Sequence, residues 1–234
     1  MLKTLLRFAS IYVFFIILMN SAAYAQDPGF SQFYANPLYL NPAFAGTAKC
    51  PRVIMNYRNQ WPGIDNSFIT YSASYDQHFD ALNGGLGLLV MNDRTGEGVL
   101  NTTNVSLMYS YQLEVNRRFS IKFGAQGTYF QRSVNTENLR FGDMIDPRRG
   151  FVFQTNEPIV DESNSYFDAS AGILGFSEKF YFGFAAHHLT QPEESFLGGT
   201  SVLERKYTAH VGAVLPFGIR ADDMSWSPNI LFQQ

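Results

Sequence analysis

Apolar and polar residues alternate with a period of two along most of the chain. Val105, Leu107, Tyr109, Tyr111, Leu113 and Val115 interleave with Asn104, Ser106, Met108, Ser110, Gln112 and Glu114. Phe119, Ile121, Phe123, Ala125, Gly127 and Tyr129 interleave with Ser120, Lys122, Gly124, Gln126, Thr128 and Phe130, and the same pattern returns over 166–173 and 206–215. Alternation of this kind marks strands with one apolar face. Runs of ten or more residues exceed the usual soluble strand of about 5–6. They match the roughly 9–11 residues that a tilted strand needs to cross a bilayer. The pattern predicts nine strands, at 53–60, 67–79, 84–93, 100–115, 118–132, 164–176, 180–190, 206–216 and 227–234. Loops 61–66, 94–99, 133–163 and 191–205 contain 6, 6, 31 and 15 residues, against 4, 2 and 3 for turns 80–83, 116–117 and 177–179. Outer-membrane barrels place short turns on the periplasmic side and long loops outside. Only 217–226, with ten residues on the short-turn side, departs from that rule.

The fold class expected is therefore all-β, an antiparallel transmembrane β-barrel of the outer membrane. Tyr109, Tyr111, Phe119, Phe123 and Val211 should face lipid, and Ser110, Gln126 and Thr208 the lumen. The polar set is rich in Gly, Ser, Thr and Asn, which suits a wet lumen. A soluble β-sandwich is the alternative, but it does not explain strands this long with so few charges on either face. Nine strands is an odd number, whereas single-chain bacterial barrels use even counts. The sequence also stops inside a strand pattern, Pro228 to Gln234. The expectation is an incomplete barrel whose C-terminal strands lie beyond this chain, because unpaired edges in lipid are costly.

The first 25 residues read as a signal peptide. Lys3 and Arg7 precede the apolar run Ile11–Met19, and Ala23-Tyr24-Ala25 forms a small-x-small cleavage site. The alternative, an N-terminal membrane anchor, asks that short run to span as a helix. No later run of about 18 apolar residues occurs. Charged residues make up 16% of the chain, well below the roughly 25% of an average domain. With 22 Phe, 13 Tyr and 19 Gly, this composition excludes a disordered tail, a coiled coil and a basic nucleic-acid binder. The net charge is −3; removing Lys3 and Arg7 leaves 15 basic against 20 acidic residues, or −5. Cys50 is the single cysteine, so no intrachain disulfide or Cys₄ zinc site can form.

Candidate chemistry is sparse. The histidines are His78, His187, His188 and His210. A regular strand points His187 and His188 to opposite faces, so they cannot chelate together. His188 falls in the apolar-facing set and His210 in the lumen set. No nucleophile elbow is present, and neither enzyme activity nor a cofactor nor a metal is expected. Asp143, Asp146, Asp161 and Glu162 lack EF-hand spacing, and Pro147-Arg148-Arg149 offsets their charge; a solvated loop is expected. The 31-residue stretch 133–163 is the strongest functional candidate, because connections of that length in a compact fold are usually functional or disordered. Phe141, Met144, Asp146, Arg148, Phe151 and Phe153 give it material to bind a protein partner.

Past the cleavage site comes Asp27-Pro28-Gly29-Phe30-Ser31-Gln32-Phe33-Tyr34-Ala35-Asn36-Pro37-Leu38-Tyr39-Leu40-Asn41-Pro42-Ala43-Phe44-Ala45-Gly46. Two Asn-Pro pairs favour turns over helix or strand. From composition, residues 26–50 form an aromatic-packed plug or periplasmic lead-in ahead of a barrel over 51–234. This stretch resembles the opening of the PorP/SprF family of the type IX secretion system. Asp27, Pro28, Phe30, Ser31, Gln32, Tyr34, Asn36, Pro37, Asn41, Pro42, Ala43 and Gly46 carry the likeness. It continues through Tyr57-Arg58-Asn59-Gln60-Trp61-Pro62 with Phe68, Tyr71 to Asp76, Gly85 to Leu88 with Asn92, Asp93 and Gly96, and Phe141-Gly142-Asp143 with Gly150-Phe151. The resemblance implies an integral outer-membrane barrel without catalytic activity. Its implied partners are outer-membrane lipid, other type IX components and secreted cargo such as the large adhesins of gliding motility. No nucleic acid or small-molecule substrate is expected. Family members are longer, which agrees with missing C-terminal strands. A general porin or hydrophobic-solute transporter would share the architecture and remains the alternative function.

Overall fold

The computed structural model describes residues 27–48, 50–63, 67–96, 98–135, 139, 141–146, 148–153, 155, 163–196, 201–216 and 225–234. The expected signal peptide lies outside them, as do Asp161 and Glu162. Among the described residues thirteen strands follow in chain order: β1 (Arg52–Gln60), β2 (Phe68–Phe79), β3 (Gly84–Thr95), β4 (Leu100–Asn116), β5 (Phe119–Val134), β6 (Ile145–Asp146), β7 (Gly150–Phe151), β8 (Ser163–Ser177), β9 (Phe180–His187), β10 (Lys206–Ala213), β11 (Leu215–Pro216), β12 (Ser225–Trp226) and β13 (Asn229–Gln233). Nine of them form one antiparallel sheet in the order β1-β2-β3-β4-β5-β8-β9-β10-β13, curled into a half-barrel. The nine predicted strands are these nine. Among the described residues no helix is long and apolar enough to cross a membrane.

The period-two pattern becomes a two-faced wall. Along β4 the residues from Asn104 to Ser110 alternate strictly between buried and exposed. Leu107, Tyr109, Tyr111, Phe123 and Val211 lie on the exposed convex face, while Ser110 and Thr208 are fully buried on the concave one. Aromatic neighbours on the convex side pair across strands, as Tyr57 with Tyr71 and Tyr129 with Phe167 do. Such cross-strand pairs are the unit of sheet stability. Asn83, with φ +47°, makes the left-handed turn from β2 into β3.

Two strand ends stop short of expectation, and one loop gains structure. β9 stops at His187, three residues early, because His188 turns into the left-handed region at φ +56°. β10 stops at Ala213, and after Val214 the chain leaves the sheet, Leu215 and Pro216 pairing as β11 with β12. Pro216 cannot donate to a ladder. The long connection 133–163 carries its own small hairpin, β6 with β7.

The concave face departs from a wet lumen. Residues 27–48 cross it, and the most buried apolar cluster lies at that contact: Leu38 and Ala45 against Leu89 and Met108. Asn36, Asn41, Pro42 and Ala43 are buried there as well. The small inward residues of the sheet serve as a seat for this segment.

Candidate functional site

Each Asn-Pro pair opens a short helical turn. Pro37 starts the one-turn α-helix Pro37–Leu40, and Pro42 starts the 3₁₀ turn Pro42–Phe44. Proline at the first helical position has its backbone preset and its missing N–H would be unpaired anyway. Asn41 Oδ1 caps the second turn by accepting from the Ala43 N–H at 2.9 Å. Its Nδ2 lies 3.1 Å from the Ile173 carbonyl, 3.2 Å from the Phe184 carbonyl and 3.2 Å from His210 Nε2. One side chain thus shapes the segment and attaches it to β8, β9 and β10.

The sheet comes close enough to touch backbone to backbone. A Cβ on Gly124 would collide with the Pro42–Ala43 peptide, and one on Gly85 with the Ala45 carbonyl and Gly46. Gly46 itself has φ +61°, a conformation that glycine adopts freely. The Ala45 carbonyl accepts from Ser110 Oγ at 2.6 Å and from the Lys122 ammonium at 2.8 Å. Next to it, the Gly46 N–H donates to Asp76 Oδ2 at 2.8 Å. Asp76 in turn receives Nε and Nη2 of Arg52 at 2.8 and 3.0 Å, a two-pronged ion pair. At mid-segment, Asn36 Nδ2 donates to Ser72 Oγ at 3.2 Å.

A second ionic cluster holds the start of the segment. Asp27 Oδ2 receives Lys206 Nζ at 2.6 Å and His188 Nε2 at 2.9 Å. His188 Nδ1 faces Asp168 Oδ2 at 2.7 Å, and Thr190 Oγ1 donates to the other oxygen of Asp168 at 2.7 Å. Lys206 Nζ also sits 5.0 Å from the centre of the Tyr39 ring, whose hydroxyl donates to the Pro28 carbonyl at 2.7 Å. His188 was expected on the apolar face. Its left-handed backbone breaks the alternation at the end of β9 and turns the ring inward, so it is a correction with a local cause. His187 is also inside, with Nε2 3.3 Å from the Leu40 carbonyl.

Burial alone would disfavour charge on His188, but the carboxylates of Asp168 and Asp27 outweigh it and raise its pKa to about 9. Burial likewise works against the Asp27 carboxylate, and Lys206 with His188 hold it ionised well below its usual range. Burial keeps the Tyr39 hydroxyl protonated. A histidine whose pKa rises on folding stabilises below its unfolded value near 6.5 and loses that contribution through about 9. Asp168 belongs to the sheet and stays beside His188, so docking draws only on the share that Asp27 contributes; it should weaken by about 1 kcal/mol as pH rises from 6.5 to 9.5. Protease accessibility of residues 27–48 across that range checks this. A His188→Gln variant should show a flat profile in the same window.

The seam also carries a penalty. Asn36 Oδ1, Ser74 Oγ and His210 Nδ1 are buried without a hydrogen-bond partner among the described residues. Each such atom costs about 1–3 kcal/mol.

The remaining motif residues are spread out. Ser31, Gln32 and Tyr34 are exposed, and Phe30 packs edge-on to Tyr39. Arg58 bonds to Gln60 near the far end of β1 from Arg52, and Trp61 meets Phe68 edge-on there. In the long connection, Asp146 Oδ1 accepts from the Arg148 and Arg149 N–H groups, closing the β6–β7 turn. The Phe153 N–H donates to the Met144 carbonyl at 3.3 Å, the Phe141 N–H lies 3.4 Å from Met144 Sδ, and Phe153 is exposed. The backbone of Phe151 pairs with that of Ile145. Those loop residues form a unit of their own, away from the segment's seat. Sequence reasoning quoted Asp76 only within the family likeness, without a role, and did not single out Lys122, Asp168, Thr190 or Lys206. Their signal was available: four of them are charged, and three of those sit within long alternating strands.

Residues 22–234 match the family described as type IX secretion system membrane protein PorP/SprF. The chain belongs to the PorP/SprF family. Neither a curated protein nor a solved structure matches it. The PorP/SprF match runs through both parts of the site, the N-terminal segment and the sheet that seats it.

Proposed function

We propose that this PorP/SprF protein is an integral outer-membrane component of the type IX secretion machine. It is exported by a signal peptide cleaved after Ala25. It aids export or surface attachment of large secreted adhesins, including those of gliding motility, through protein–protein contacts and without catalysis. Its partners are outer-membrane lipid, other components of the machine and the adhesin cargo. The observation that carries this reading is the contrast between the two faces of one sheet. The convex face is lined by exposed apolar side chains, and the middle of the concave face is covered by the chain's own residues 27–48. A covered interior favours a partner-binding component over a diffusion porin. The exposed Ile145, Val152 and Phe153 around the β6–β7 hairpin supply an apolar contact for a partner.

Affinity isolation from native outer membranes, read by mass spectrometry, tests the assignment. Other type IX components and a large adhesin should be recovered. The Phe153→Ala, Met144→Ala double variant should lose them while still fractionating with the outer membrane. Recovery in the soluble fraction would overturn the location. Sugar flux through reconstituted liposomes at porin rates would favour the porin alternative.

Depth in the bilayer gives a further check. Leu107 lies mid-way along β4 on the convex face, and Val115 lies near its end. An Arg at the bilayer midplane costs about 2–4 kcal/mol, falling to about 0–1 near the interface. Leu107→Arg should therefore destabilise folding into lipid vesicles by about 3 kcal/mol, and Val115→Arg by less than about 1, in urea titrations.

A further inference from the structure

We propose that the concave face is a peptide-binding groove and that residues 27–48 are its exchangeable ligand. The segment lifts off without opening the sheet, and the vacated seat takes a turn-forming peptide bearing Asn-Pro-Ala. Three observations carry this. First, the segment adds no strand to the sheet: its elements are the turns Phe33–Ala35, Pro37–Leu40 and Pro42–Phe44. Every strand pairing survives its departure. Second, backbone groups of the segment carry much of its hold, beside the side chains of Asp27, Asn36 and Asn41. Leu40 and Ala45 present carbonyls to His187, Ser110 and Lys122, and Gly46 presents its N–H to Asp76. Among the described residues of the segment, Asn41 is the side chain inserted among backbone carbonyls of the sheet. Third, among the described residues the closed state leaves Asn36 Oδ1, Ser74 Oγ and His210 Nδ1 buried and unpaired, and lifting the segment opens all three to water. The inference concerns the segment's seat alone and holds whatever the cargo of the secretion machine.

The test uses the full chain in a Cys50→Ser background. Ser110 is fully buried beneath the Ala45 carbonyl, so Ser110→Cys reports lifting when challenged with a polar maleimide. Ser72→Cys, beneath Asn36, is the second reporter should the first perturb folding. A disulfide between Asn36→Cys and Ser72→Cys locks the segment down and is combined with the Ser110→Cys reporter. Reporter modification is expected in the unlocked protein, at least tenfold slower when locked, and restored by reduction. A biotinylated peptide of residues 27–48 should be captured by the unlocked protein only, and an Asn41→Ala version of it at least tenfold less. Reporters that stay unmodified while native Cys50 reacts in the parent chain would overturn exchange. So would equal modification of locked and unlocked protein. Lock-sensitive modification without peptide capture would overturn the peptide-binding role.

Discussion

Asp76→Ala should release the C-terminal end of the N-terminal segment and cost about 3–5 kcal/mol, the range for breaking a buried ion pair from one side. Asp76 is fully buried and serves two partners at once. It accepts the Gly46 N–H and both prongs of Arg52. Alanine leaves the buried Gly46 N–H without its acceptor and the part-buried Arg52 guanidinium with only the weaker Thr47 Oγ1 and Phe44 carbonyl contacts, next to the Lys122 ammonium. Arg52 and Lys122 then face each other without the carboxylate between them. Asp76→Asn keeps one acceptor oxygen and should cost about half as much. Urea unfolding in detergent gives the stability change, and limited proteolysis shows whether cleavage within 27–48 precedes unfolding of the sheet. Stability unchanged within about 0.5 kcal/mol would mean that the segment is held elsewhere.

Gly124→Leu should cost about 4 kcal/mol, above the usual overpacking range of about 1–3 kcal/mol, because the obstacle is backbone. A side chain there meets the Pro42–Ala43 peptide, which cannot rotate away as a side chain would. The segment must leave its seat or β5 must bend. Gly127 supplies the control on the same strand. Nothing lies within 4 Å of a Cβ built there, so Gly127→Leu should change stability by less than about 0.5 kcal/mol. Equal loss in both variants would point to strand propensity rather than to collision with the segment.

The strands were legible because a two-residue period survives any local irregularity shorter than the strand. The faces followed from it, as Ser110 and Thr208 inside and Leu107 and Val211 outside show. The seat was not legible, for two physical reasons. Its contacts join residues far apart in sequence, such as Asn41 and Ile173, 132 positions away. Glycine and small polar residues also suit a water-filled lumen as well as they suit close backbone contact. Gly85 and Gly124 therefore carried no directional signal before Gly46 and Ala43 were placed against them. His188 escaped because one left-handed residue inverts the parity that every strand reading depends on. The N-terminal motif was visible as turns, through Asn36-Pro37 and Asn41-Pro42, though composition could not say what those turns would lie against.

Strand length varies greatly around the wall. β4 and β5 contain 17 and 16 residues, whereas β9 and β10 contain 8 each and β13 contains 5. At about 3.4 Å per residue the first pair extends roughly 55 Å and the next roughly 27 Å. With a tilt of about 45°, those become heights of about 40 Å and about 19 Å against a hydrocarbon thickness near 30 Å. The rim is therefore oblique, like the lip of a scoop. Set in a bilayer, the long side would reach into the headgroup layer, while the short side would fall about 10 Å short of the hydrocarbon thickness. Lipid beside the short strands would have to thin to meet them. The wall would thus shape the bilayer unevenly around its own circumference.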